Sequence, residues 1–201
     1  MKLLLMSSNF GRKKIEHAFC SFIKKKLSKA RLLMITTWQT KEDESFIKIV
    51  KQKLISLGLK EGNITVHNVE LPIEIKRVNT FDVVYFCGGN TFYLLYHIRK
   101  TGTDKLIKKF VKKPGRVYVG VSAGSMIVGP NIDLAEPFDA NEVHLKDKTG
   151  LQLIKTMVSP HYCEEERAFI EEYERKTKQR IVPLTDNQAL LVTAHKEEII
   201  E

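Results

Sequence analysis

The feature that most constrains this chain is an alternation. Short apolar runs of strand length take turns with longer stretches in which apolar residues recur every three or four positions. A short continuous apolar run buries both faces of a strand, and a stripe at helical spacing buries one side of a helix. A parallel sheet covered by helices satisfies both in alternation.

Residues 2–6 are the first predicted strand. Residues 13–30 carry Ile15, Phe19, Ile23 and Leu27 at steps of four, one stripe of a helix. A second strand is expected over 31–37, then a helix over 44–57 with Phe46, Ile47, Val50, Leu54 and Leu57 inward. Gly58 stands where a left-handed C-terminal cap is wanted. Strand 63–69 follows, and strand 81–87 runs straight into Gly88-Gly89-Asn90. Thr91 is placed to cap a helix containing Phe92, Leu95 and Ile98 that stops near Gly102. A short helix at 106–111, a turn at Pro114-Gly115 and a strand at 116–121 lead to Ser122-Ala123-Gly124. Beyond Pro130 the pattern loosens until residues 156–159 lead to Pro160-His161. A charged helix over 164–178 and strands near 181–184 and 189–194 complete the series. No repeat, linker or low-complexity tract breaks it, so residues 1–201 are expected to form a single α/β domain.

A chain of 201 residues can bury roughly 70% of its unfolded surface and needs no disulfide to hold it. Cys20, Cys87 and Cys163 contain no CxxC pair and leave one thiol over, which fits a reducing cytoplasm. The opening MKLLLMSSNF is too short in its apolar part for a signal peptide or a membrane span, so no membrane partner is expected. The balance of 33 basic to 24 acidic residues gives a net charge of +9, which brings nucleic acid into consideration. The lysine clusters, however, lie at helix spacing beside apolar stripes without interleaved aromatic residues. They read as solvated helix faces, and nucleic acid is not the expected partner. A homodimer is possible.

The segment Gly120-Val121-Ser122-Ala123-Gly124 fits G-x-S-x-G. A serine on a sharp turn between strand and helix lifts its hydroxyl above the sheet edge. The next amide, that of Ala123, then points toward a developing oxyanion, and the start of the following helix adds favourable potential. Gly88-Gly89 brings a second bare amide close if its strand neighbours the serine strand. His161, at a strand exit after Pro160, is the general-base candidate. The remaining histidines, His17, His67, His97, His144 and His195, lie in helices, in a strand, in a charged loop or near the end of the sequence. A carboxylate that fixes the imidazole tautomer would complete the set, and Glu136 and Asp139 are the best placed between serine and histidine, ahead of Asp133 and Glu142. Cys163 lies off the elbow and reads as ordinary packing.

Three segments, FCGGNTFYLL over 86–95, GVSAGSMIVGPNI over 120–132 and SPHY over 159–162, resemble the peptidase E (dipeptidase E) family of serine peptidases, including its short bacterial members. The resemblance runs in order and at similar spacing over essentially the whole chain. It implies a class I glutamine amidotransferase-like, flavodoxin-like fold: a three-layer sandwich of a mostly parallel sheet between helices, with the nucleophile on an elbow. It also implies Ser122 as nucleophile, His161 as base, the amides of Gly89 and Ala123 as oxyanion hole, and Gly88 and Asn90 beside the substrate. The implied chemistry is hydrolysis of short peptides through an acyl-enzyme, with no metal or other cofactor.

Two segments depart from the family pattern. Where its best-known members carry the acid in a TTND sequence, this chain has DLAEPFD; counting from the serine favours Glu136 and counting from the histidine favours Asp139. Where aspartyl-dipeptidase members carry an arginine-bearing GETR-type segment, this chain has YCEEERAFIEE, and the acidic neighbours of Arg167 argue against a ready anion site. Three rival readings compete with this one. The chain is short for an α/β-hydrolase esterase and has no HGGG-type loop, and a glutaminase needs cysteine at the elbow. An idle binding module of the same fold, with a positive surface for acidic ligands, is the reading from a different class.

Overall fold

The computed structural model describes residues 1–37 and 41–201, the side chains of 41–43 excepted. Strands β1 (Leu3–Met6), β2 (Leu32–Thr36), β3 (Ile64–Asn68), β4 (Val83–Phe86), β5 (Val117–Val121), β8 (Ala189–Val192) and β9 (Glu197–Ile200) form one sheet in the order β3-β2-β4-β5-β1-β8-β9. β1 to β5 are mutually parallel, whereas β8 runs antiparallel to β1 and β9 antiparallel to β8. β6 (Met157–Pro160) and β7 (Ile181–Leu184) pair in parallel as a separate two-stranded sheet.

Successive residues of each central strand point to opposite faces, and both faces are buried. Leu3 and Leu5 of β1, Leu33 and Ile35 of β2, and Val84 and Phe86 of β4 enter one core. Leu4 and Met6, Leu32 and Met34, and Val83 and Tyr85 enter the other. Burying each such side chain is worth about 1.5–3 kcal/mol, so the strands read as unbroken apolar runs. The second core is closed by α1 (Lys13–Phe22), through Ile15 and Phe19, and by α2 (Lys41–Ser56), through Ile47, Val50 and Leu54. On the first core lie α3 (Ile75–Val78), α4 (Thr91–Lys100), α5 (Thr103–Phe110), α6 (Ala123–Met126) and α7 (Arg167–Thr177). The result is the expected three-layer α/β architecture.

Several local expectations change. The helix expected over 13–30 ends at Phe22, where Ile23 turns extended; Ile23 remains buried, and a 3₁₀ turn, Leu27–Lys29, carries the chain back to the sheet. Phe46 is 41% exposed rather than inward. The cap of α4 is Asn90, whose Oδ1 accepts the Tyr93 amide at 2.9 Å, while Thr91 is buried one residue further on. Residues 164–178 divide into a 3₁₀ turn, Glu164–Glu166, and α7. α3 and β9 are additions that the periodicity did not expose. Gly58 does cap α2, at φ 111°, with the Leu59 amide donating to Leu54 O at 3.2 Å. Among the described residues no helix is long and apolar enough to cross a membrane.

Candidate active site

The carboxyl ends of β1, β2, β4 and β5 open on one edge of the sheet, the edge at which open α/β sheets bind ligands. β4 pairs with β5, Phe86 opposite Gly120, so the Gly88-Gly89 loop and the Ser122 turn leave neighbouring strands side by side. A Cβ built on Gly88 would lie 3.3 Å from Ser122 Cβ. Gly89, at φ 122°, holds a conformation that L side chains rarely adopt, and a Cβ there would also lie 2.3 Å from Thr37 Oγ1.

Ser122 sits at φ 49° and ψ −113°, outside even the left-handed helical region. Such a conformation costs of order 1–3 kcal/mol and persists only where its surroundings over-determine it. Here they do. The Ser122 amide donates to Met6 O at 3.0 Å, and its carbonyl accepts the amides of Ser125 at 2.7 Å and Met126 at 3.1 Å. The buried Ser125 hydroxyl lies 2.8 Å from Met6 O and 2.9 Å from Gly120 O, and the Tyr118 hydroxyl donates to Gly124 O at 2.6 Å. Both flanking glycines are required by close approach. A Cβ on Gly120 would meet Gly124 O at 2.3 Å, and one on Gly124 would meet Phe86 O at 2.7 Å. The helix after the serine, α6, is a single turn, so the helix-dipole contribution expected from the sequence is small and the local amides matter more.

His161 follows β6 at φ 60°, a second strained position. Its Nε2 lies 2.9 Å from Ser122 Oγ and its Nδ1 lies 2.6 Å from Asp186 Oδ1. A carboxylate only accepts, so Nδ1 carries the proton and Nε2 is left to accept the serine hydroxyl. Buried Ser7, just past β1, ties the arrangement together: its hydroxyl donates to Asp186 Oδ1 at 3.2 Å and accepts the His161 amide at 2.7 Å. The His161 and Asp186 side chains are 50% and 63% exposed, so the pair faces an open cleft.

The carboxylate beside His161 is therefore not one of the two taken from the sequence. Glu136 is ion-paired with Lys148, whose pKa it raises mainly through that hydrogen bond. Asp139 Oδ2 accepts the Thr91 amide at 2.8 Å, at the start of α4. Both carboxylates already have partners on the α4 side of the cleft, and Asp186 reaches the imidazole from the turn after β7. Asp133, one of the weaker candidates, accepts from the Tyr173 hydroxyl at 3.1 Å. Asn90 is occupied as a helix cap and donates its Nδ2 to Ala140 O at 2.8 Å, so it acts on the cleft by holding the loop around residue 140. Cys163 is exposed and its pKa is raised, first by a hydrogen bond to Glu165, which keeps it a thiol rather than a thiolate. Arg167 is paired with Glu164 through both Nε and Nη2. Asp186, Ser7 and Ser125 were missed by sequence reasoning.

A serine on a strained elbow, an imidazole within hydrogen-bond reach and a carboxylate behind it define a hydrolase of the serine type on a doubly wound sheet. The family model for peptidase family S51 matches residues 3–200, and the chain belongs to that family. An uncharacterised peptidase of Listeria monocytogenes is 30% identical over 200 residues, covering 96% of this chain and 95% of the relative. Peptidase E of Escherichia coli is 28% identical over 207 residues, covering 100% of this chain and 82% of the relative. The crystal structure of a Listeria monocytogenes protein provisionally described as a peptidase E superposes with a TM-score of 0.79 at 27% identity, covering 99% of this chain and 97% of that one. The protein is a serine-type peptidase.

Proposed function

We propose that the protein hydrolyses short peptides through Ser122, His161 and Asp186. His161 Nε2 takes the hydroxyl proton as Ser122 Oγ attacks the carbonyl, and the amides of Gly89 and Ala123 receive the oxyanion. The imidazolium then gives its proton to the leaving amine, and water releases the acyl group by the same route. Asp186 keeps the imidazole in the required tautomer and stabilises its charge; Ser7 positions both. The observation that carries this reading is the pair of contacts at 2.9 Å and 2.6 Å on the two imidazole nitrogens.

The cleft supports short substrates. Ser122 and His161 line one cavity of about 260 Å³ and a second of about 120 Å³, room for a residue or two on each side of the scissile bond. The three cysteines, none of them in a disulfide, fit a cytoplasmic setting. Incubation with a mixture of dipeptides and tripeptides, followed by mass spectrometry, tests the reading. Wild type releases free amino acids and Ser122→Ala does not. Equal release by both proteins, or none by wild type, refutes it.

A further inference from the structure

The smaller cavity has an unusual composition for its place. Met126, Leu134 and Phe138 line it together with Ser122, His161 and Glu166. Asp139, also in the lining, is already bound to the Thr91 amide. Glu166 is different. Its Oε2 is shut from solvent and has no hydrogen-bond partner among the described residues. An unsatisfied buried polar atom costs about 1–3 kcal/mol, and more when charged. Burial accordingly raises the Glu166 pKa, with the Cys163 thiol and His161 offsetting only part of the effect. Arg167, next in sequence, is taken up by Glu164 and does not line the cavity.

Resting on the peptidase reading above, we propose that this cavity receives a positively charged group of the substrate beside the scissile bond, and that Glu166 is the residue that selects it. A lysine- or arginine-like side chain suits this lining. Its methylene stem lies along Met126, Leu134 and Phe138, and its ammonium or guanidinium head meets the Glu166 carboxylate, whose buried oxygen has no partner of its own. A free α-ammonium offers the same charge on a shorter reach. Acidic side chains are disfavoured, because Glu166 would repel them and no lysine or arginine among the described residues lines the cavity.

The test measures kcat/KM for matched peptides with lysine against norleucine and arginine against citrulline on either side of the scissile bond, each with a free and an acetylated amino terminus. Wild type is expected to prefer the charged member by about tenfold or more, a preference that falls toward one in Glu166→Gln and turns toward aspartyl and glutamyl peptides in Glu166→Lys. A preference that survives acetylation identifies a side chain as the cation, and one lost on acetylation identifies the α-ammonium. Turnover of neutral or acidic peptides with no gain from positive charge overturns the assignment while leaving the peptidase standing. Absence of any peptide turnover removes the peptidase reading and this subsite with it.

Discussion

At the scale of residues, the centre is held by backbone strain and by short polar contacts. Ser122 and His161 both have positive φ, and each donates its amide to an acceptor at or just past the end of β1, Met6 O and Ser7 Oγ respectively. The proposed triad takes Asp186 as its orienting acid because Asp186 Oδ1 lies 2.6 Å from His161 Nδ1. Replacing Asp186 by Asn leaves the size of the side chain but reverses the preferred imidazole tautomer. Such a change behind a buried triad lowers kcat by about 10⁴. Asp186 is largely exposed and water can partly take its place, so a fall of about 10²–10⁴ is expected in steady-state peptide hydrolysis. Glu136→Gln, which loosens only the contact to Lys148, is expected to remain within about fivefold of wild type, the span of a surface pair worth at most ~1 kcal/mol. The opposite ranking would return the role to Glu136. The sequence could name Ser122 and His161 because each lies in a recognisable strand-exit context. Asp186 lies in a plain Thr-Asp-Asn turn, and nothing local separates it from other loop carboxylates.

At the scale of elements, what brings Asp186 to His161 is the pairing of β6 with β7. Pro160 lies opposite Leu184, so the turns leaving the two strands emerge side by side, and the Tyr162 amide donates to Leu184 O at 3.0 Å. Both strands are visible as apolar runs; their partnership is not, because strand pairing is decided by packing between distant segments. The same limit explains why β9 escaped notice. With Glu197 and Glu198 among its four residues and only one neighbour, it lacks the apolar run that a doubly covered strand needs. The elbow is the element most fully written in the sequence, since its glycines answer a steric demand. Gly124→Ala forces a methyl group against Phe86 O at 2.7 Å, backbone that cannot swing aside. A loss of about 1–3 kcal/mol is expected in urea unfolding, as for overpacked cores, together with a fall in activity as the turn shifts. Unchanged stability would show that the contact relaxes freely.

At the scale of the whole molecule, the centre is assembled from the full span of the chain: Ser7 from its first strand, Gly89 and Ser122 from the middle strands, His161 and Asp186 from the paired strands beyond. Layer order was legible because two-faced burial leaves a periodic trace in every central strand. The arrival of Ser7 and Asp186 beside Gly89, Ser122 and His161 was not, since it depends on which distant strands pair. The net charge of +9 likewise says little about the cleft, which is bordered by the carboxylates Asp139 and Glu166 and, behind His161, Asp186. Charge summed over a chain describes its solubility and long-range field, whereas selectivity is set by the few groups within a Debye length of the reacting atoms. The most direct test of the central claim is the reaction of the intact protein with a fluorophosphonate, with the adduct mapped by peptide mass spectrometry. The account predicts one adduct, on Ser122, absent from Ser122→Ala and formed far more slowly in His161→Ala. An adduct on any other residue, or labelling of Ser122 at the same rate without the imidazole, would contradict it.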